Sequence, residues 1–330
     1  MSTKYSYSRL NTYVNCPWRY KLQYMDHHYI FDDTLATELG TLIHHEEEII
    51  GKSIIAGEPI DYGKLTKDFY EINVPKKSPQ DTEGGIYGIN ILSKKYPEDF
   101  YNFDDKGQSY FTKCQDYTKT GIHRLEQFLA ENPDLELVAV EKYFDVTFEG
   151  YEMMGFIDRV FRRKSTGEYI ISDIKTKDHP FKDTELTTPL QFVVYSIALK
   201  SIYGLEDYPS ECFYELPIAG IQQKAGTKGF IKRGLKKIRS IFDGISNEVW
   251  APKPSALCHW CPFCYTNPKQ KEEGKKLCCY YSLWTPGGKY KSYDVMNKWE
   301  GIERNDIVMA RFLNEQQEPG KNSFDFDFTF

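Results

Sequence analysis

No stretch of this 330-residue chain is apolar for long enough to approach a membrane span. Its opening, MSTKYSYSRL, lacks the basic-then-apolar layout of an export signal. The expectation is a cytoplasmic protein with no membrane partner. Positive charge is not in excess either: 42 Lys and Arg stand against 48 Asp and Glu, for a net charge of −6. A nucleic-acid partner would therefore have to be gripped by a local patch, because overall charge offers it nothing. In a reducing compartment the eight cysteines do not make a disulfide framework, and clustered ones more often bind metal. What is abundant is aromatic: 25 Tyr and 21 Phe bring the aromatic share to 15%, which suits broad cores or surfaces that stack on bases. Hydrophobic content of 40% and charged content of 27% are those of a globular protein. The length allows one large domain or two ordinary ones.

The stretch 155–175 organises the rest. Two apolar-alternating runs are joined by a polar turn at 164–167. Met154, Phe156, Asp158 and Val160 share one face of the first run, and Ile171, Asp173 and Lys175 share one face of the second. An antiparallel hairpin would bring Asp158 opposite Asp173 and Lys175. Like charges opposed across a sheet destabilise it, and a divalent cation between them would supply the reason for the pairing.

Along the chain, 8–25 reads as a helix with Ser8 as N-cap, ended or kinked at Cys16-Pro17. Residues 37–50 carry a second helical pattern with Gly40, His44 and His45, and helical period returns around Ile122, Leu125, Phe128 and Leu129. From Leu135 onward β-branched and aromatic runs alternate with turns, giving three strands, a helix over 186–202 and a returning strand over 211–219. Residues 222–240 hold Lys224, Lys228, Lys232, Arg233, Lys236, Lys237 and Arg239 with no acidic residue. Such a run is either a solvated face or a phosphate-binding surface. Leu235, Ile238, Phe242, Ile245 and Val249 make an apolar stripe on the same segment. Cys258, Cys261 and Cys264 are spaced CxxCxxC, and Cys278 and Cys279 follow, so five of the eight cysteines lie within 22 positions. Zinc and an iron–sulfur cluster are the two candidates. The tail ends NSFDFDFTF, which builds no core of its own and reads as a disordered tail or a docking motif.

Together these pieces resemble the RecB/AddB-like branch of the PD-(D/E)XK nuclease superfamily, in the version that carries a cysteine-bound iron–sulfur cluster and is common as a stand-alone phage exonuclease. SYSRLNTYVNCPWRYK resembles the family's first helix with its isolated cluster cysteine, Cys16. GTLIH resembles the segment bearing a metal-binding histidine, His44; GFIDRV carries Asp158, DIKT carries Asp173 and Lys175, LQFVVY carries Gln191 and Tyr195, and CHWC carries Cys258 and Cys261. The resemblance covers residues 6–45 and 137–284. It implies a mixed α/β fold: a restriction-endonuclease-like core with a small mixed sheet flanked by helices, a helical insertion, and an Fe–S staple joining the N- and C-terminal segments. The implied division is 1–25, the first helix; 26–134, the largely helical region with His44; 135–220, the nuclease core; 221–254, the basic segment; 255–290, the cysteine region; and 291–330, the extension.

The resemblance also implies hydrolysis of DNA phosphodiesters from an end, with single strands preferred, in recombination, repair or phage DNA processing. His44, Asp158, Asp173 and the Ile174 backbone carbonyl would hold Mg²⁺ or Mn²⁺, with Lys175 orienting the attacking water. Gln191 and Tyr195 would position DNA or the aspartates, and Glu141 would touch the site through water or stay a surface strand acid. Cys16, Cys258, Cys261 and Cys278 would hold a [4Fe–4S] cluster, with Cys264 as the alternative fourth ligand. Lys224, Lys228, Lys232, Arg233, Lys236 and Lys237 would grip DNA phosphates. The 324–330 tail would dock on a replication or recombination protein such as a sliding clamp. The location becomes the host cytoplasm if a phage encodes the chain. The alternatives are a catalytically idle module that binds DNA or a partner, and a nuclease whose cysteines hold zinc.

Overall fold

The computed structural model describes residues 3–28, 33–76, 85–104, 107–253, 255, 257–258, 261–263 and 278, with the backbone of 284–285 and 289–290. The chain forms two compact units, Met1–Ser8 with Asp33–Ser240 and Arg9–Asp32 with Ile241–Phe330. Among the described residues no helix is long and apolar enough to cross a membrane.

The first helix, α1 (Tyr7–Asn15), starts one residue before its expected cap, so Ser8 lies in its first turn. Pro17 then divides the helix expected over 8–25. A new short helix, α2 (Pro17–Tyr20), begins with Cys16 as its N-cap, and one π turn follows at Lys21–Met25. Proline carries no N–H and suits a first helical turn, which is why the break falls there.

In the first unit, α3 (Leu35–Ala56) is closed at both ends by its own sequence. Thr34 and Thr37 form a capping box, and Gly57 ends the helix in the left-handed conformation at φ +67°. Then come α4 (Tyr62–Glu71), the two-residue strands β1 (Asn73–Val74) and β2 (Ile86–Tyr87), α5 (Ile89–Lys95), α6 (Pro97–Tyr101), α7 (Tyr110–Lys119), a 3₁₀ turn and α8 (Arg124–Glu131). The expected helical region is thus largely helical, with one small β pair inside it. Leu39, Leu42, Ile43, Ile50, Phe69, Leu92, Phe100, Tyr117, Ile122 and Leu125 pack into one core with Leu135, Leu137, Phe161 and Ile170 of the sheet.

The sheet has five strands in the order β3 (Leu135–Phe148), β4 (Tyr151–Arg163), β5 (Tyr169–Ile174), β6 (Glu211–Leu216) and β7 (Ile221–Ala225). A two-residue turn with positive φ at Glu149 and Gly150 closes β3 onto β4, the geometry that follows the strands' twist. Strands β4 and β5 pair antiparallel around the predicted turn. Strand β5 runs parallel to β6, which demands a crossover; α9 (Asp183–Leu186) and α10 (Leu190–Tyr203) provide it. The single helix expected over 186–202 is split before Pro189, the N-cap of α10. The first ten residues of α10 are all buried, as its nearly unbroken apolar sequence requires. Strand β7 lies within the segment expected to be only basic, so Lys224 sits on an edge strand opposite Phe213. Helix α11 (Phe230–Ser246) buries Leu235, Ile238, Phe242 and Ile245 as expected. Val249 lies beyond the helix and is half-exposed, so it does not extend the stripe. A last two-residue pair, β8 (Trp284–Thr285) with β9 (Lys289–Tyr290), belongs to the second unit.

Candidate active site

Arg159 pairs with Ser172 and Val160 with Ile171 across β4 and β5. Continuing that register sets Asp158 opposite Asp173, as the alternation predicts. The Ile174 N–H, at the end of β5, donates to Asp158 Oδ2 at 2.7 Å. Asp173 is fully buried. Lys175 Nζ lies 2.5 Å from Asp173 Oδ2. Tyr195, on α10, directs its hydroxyl at Asp173 Oδ1 from 3.5 Å and accepts a 2.8 Å hydrogen bond from Gln191 Nε2, one turn earlier. Tyr195 therefore meets the carboxylate oxygen that Lys175 does not, and Gln191, on the same helix face, holds its hydroxyl.

His44 comes from the middle of α3. Its Nδ1 is 3.8 Å from both Asp158 Oδ2 and Glu141 Oε1. One ligand atom from each of His44, Glu141 and Asp158 lies within 4.8 Å of the others. Glu141, expected as either a surface strand acid or a water-mediated contact, thus belongs with this cluster. Its backbone has φ +43° in the middle of β3. A side chain other than glycine rarely adopts that conformation, and it costs on the order of 1–3 kcal/mol. Nothing in the residue types of 135–148 marks this kink. Tyr7 also went unread as a site residue: its phenol is close enough to feel the charges of Lys175 and Asp173, and SYSRL gives no chemical signal of that.

The electrostatics are those of a site short of positive charge. Burial, followed by the neighbouring Asp158 charge, pushes the Asp173 carboxyl up to about 7 despite the opposing pull of Lys175. Burial also raises Asp158, against the charges of His44 and Lys175. Burial disfavours the charged form of Lys175, but the two aspartates outweigh it and keep the ammonium protonated. Burial likewise lowers His44, and Glu141, Asp158 and Asp173 together raise it beyond its ordinary value. Two apposed buried carboxylates with a third beside them favour an added cation. Carboxylate oxygens with a single imidazole fit a hard divalent ion such as Mg²⁺ or Mn²⁺.

A family model described as the PD-(D/E)XK nuclease superfamily matches residues 4–264. The chain belongs to that superfamily. The Gene 69 protein of Mycobacterium phage D29 is 22% identical over 280 residues, covering 80% of this chain and 96% of that protein. A crystal structure from Eubacterium rectale, provisionally described as that of an exonuclease, aligns with 91% of this chain and 94% of its own at 12% identity and a TM-score of 0.42. The five-stranded mixed sheet flanked by helices is the architecture expected of a PD-(D/E)XK nuclease.

Further predicted residues of this nuclease-superfamily chain gather in the second unit. Cys16, Cys258, Cys261 and Cys278 line one cavity with Trp18, Leu22 and Phe263. Backbone N–H groups point at the sulfurs: Arg19 and Lys253 at Cys16 Sγ, at 3.4 and 3.5 Å, and Ser255 at Cys258 Sγ, at 3.4 Å. Four sulfurs with amide donors around them suit either zinc or an iron–sulfur cluster. Cys264 and the 324–330 tail lie outside the described residues.

The basic segment is less uniform than its sequence. Lys224, Lys228, Lys232, Lys236 and Lys237 are exposed. Arg233 directs its guanidinium at Thr188 Oγ1, the carbonyls of Thr187 and Lys228, and Thr227 Oγ1. It ties the start of α11 to the turn before α10 and keeps few donors for a phosphate. Arg239 pairs with Glu149 through two nitrogens, so its charge, expected to be uncompensated, is neutralised from the β3–β4 turn.

Proposed function

We propose that the protein is a divalent-metal-dependent deoxyribonuclease that removes nucleotides from the ends of single-stranded DNA. The observation that carries this reading is the convergence of His44, Glu141 and Asp158, with Asp173 apposed to Asp158 on the neighbouring strand and paired to Lys175. His44, Asp158 and Asp173 would hold Mg²⁺ or Mn²⁺ with the Ile174 carbonyl, and Glu141 is near enough to join them directly or through water. When bound, such a cation would supply Lewis-acid stabilisation of charge on the scissile phosphate and would make water more acidic. Asp158 is fixed for this by the Ile174 N–H, and Asp173 by Tyr195, itself held by Gln191. Lys175 carries its charge beside the reacting phosphate and orients water as a fixed donor. The exposed lysines from Lys224 to Lys237 would grip the DNA backbone without reading sequence.

The family membership supports a nuclease; the single-strand preference and end specificity rest on the resemblance to the RecB-like branch. The complete carboxylate and lysine set favours an active enzyme over an idle DNA-binding module. For the cysteine cavity the reading is a [4Fe–4S] cluster held by Cys16, Cys258, Cys261 and Cys278, supported by their shared cavity.

The test uses the full chain with Mn²⁺, single strands labelled at either end, and a circular single strand. Loss of label from one end with the circle intact is expected. Asp173→Ala should abolish cleavage without unfolding the protein. Digestion of the circle would replace the end-specific reading with an endonuclease. Equal cleavage by the variant would remove the assigned site altogether.

A further inference from the structure

Arg159 follows Asp158 on β4 and therefore points to the other face of the sheet. It is 2% exposed. One guanidinium nitrogen, Nη1, donates to Glu215 Oε2 on β6, and the other, Nη2, donates to Glu47 Oε2 on α3. Nη2 also reaches the Glu47 carbonyl at 3.3 Å. Tyr117 Oη donates to Glu47 Oε1 at 3.0 Å, and Ser172 Oγ donates to Glu215 Oε1. An arginine and two glutamates are thus buried behind the sheet, where apolar side chains would hold a helix to a strand without the cost of desolvating three charges.

The placement of these residues supplies the reason. Each has a neighbour in the candidate active site. Arg159 adjoins Asp158, and Ser172 adjoins Asp173. Glu47 lies one turn after His44 on α3. The Glu215 carbonyl accepts the Lys175 N–H at 2.8 Å. Apart from β3, which carries Glu141, four elements carry the site's charged groups or pair with them, and one guanidinium spans the network that links those four. Arginine alone can do this, because its planar fork presents two separated nitrogens to two carboxylates.

We propose that Arg159 is a positioning residue for the metal site. By bridging Glu47 and Glu215 behind the sheet it fixes α3 and β6 against β4 and β5, and so sets the spacing of His44, Asp158, Asp173 and Lys175 that accepts a divalent cation. The proposal rests on the metal-site reading above, and the experiment separates the two.

Mn²⁺ binding to the full chain is followed by the electron paramagnetic resonance signal of free Mn²⁺, with thermal unfolding measured in parallel. Wild type against Asp173→Ala tests the site itself. If wild type binds no more Mn²⁺ than Asp173→Ala, the metal reading falls and the proposal falls with it. Two variants test the positioning. Arg159→Lys keeps the charge and loses the fork. The triple variant Glu47→Gln/Arg159→Met/Glu215→Gln removes all three charges at nearly constant volume and leaves no buried ion unpaired, so it is expected to fold. Both should bind Mn²⁺ roughly 10- to 100-fold more weakly while unfolding cooperatively, the usual cost of removing a residue that orients metal ligands. Their kcat should fall while KM for DNA holds, since Arg159, Glu47 and Glu215 are buried and offer no surface to DNA. A folded triple variant with Mn²⁺ affinity and kcat within about twofold of wild type would overturn the proposal. If the triple variant does not fold, Arg159→Lys decides by the same criterion.

Discussion

Glu46 is fully buried on α3, and neither of its carboxylate oxygens has a hydrogen-bond partner among the described residues. Burial first, then the charges of Asp68 and Glu47, push its carboxyl up to about 8. A carboxyl raised this far stays protonated in the folded protein while the unfolded chain releases its proton above the ordinary range. The folded state then binds the extra proton, so stability falls as pH climbs from about 4.5 toward 8 and levels off beyond. Glu46→Gln removes the titration at nearly the same volume. The variant should match wild type near about pH 4 and exceed it by about 2–4 kcal/mol at about pH 8. Urea unfolding at the two pH values reads the difference, and parallel pH profiles for the two proteins would refute it. Residues of this kind mark the limit of sequence reading. Asp158, Asp173 and Lys175 were legible because a strand's alternation places them. Glu46, Glu47 and Arg159 were not, because Arg159 meets its partners across sequence separations of 56 and 112 residues, and no local period encodes such a meeting.

At the scale of elements, the site depends on how closely α3 lies against β3. Gly51, on α3 two turns beyond His44, makes that approach possible: a Cβ added there would stand 2.3 Å from Val140 Cγ1. Val140 precedes Glu141, so a side chain at position 51 pushes on the strand that carries a site carboxylate. Gly51→Ala should gain helix propensity yet lose about 1–3 kcal/mol net to the clash. Its Mn²⁺-dependent cleavage should fall more than its stability implies. Calorimetry and cleavage rates together check this, and an alanine variant as stable and active as wild type would show that the strand yields freely. The elements themselves were mostly readable from periodicity and turn residues. Strand β7 was not, because an edge strand reading Ile-Gln-Gln-Lys-Ala leaves three of its five side chains only half-buried and shows no apolar alternation. The kink at Glu141 was hidden for a different reason: a positive φ on glutamate is imposed by the packing around it, and residue type does not announce it.

At the scale of the whole molecule, the chain's far ends contribute to one cavity. Cys16 and Cys258 both line it, although 242 positions separate them (258 − 16). A metal group bonded to both would close a very long loop. In the chain-entropy account such a closure restricts the unfolded chain by about 5–6 kcal/mol, since the gain grows only slowly with loop length. The cluster reading therefore carries a thermodynamic consequence separate from its colour. Protein purified without oxygen should be brown, with broad absorbance near about 400 nm from thiolate–iron charge transfer. Cys16→Ser should lose that absorbance and bound iron, and should unfold at lower temperature than wild type. Chelating the iron from wild type should bring the two melting curves together, because each then lacks the same closure. Colourless wild-type protein with one zinc per chain would replace iron with zinc and leave the loop-closure argument standing. A Cys16→Ser variant that keeps its full metal content and its melting temperature would remove Cys16 from the ligand set.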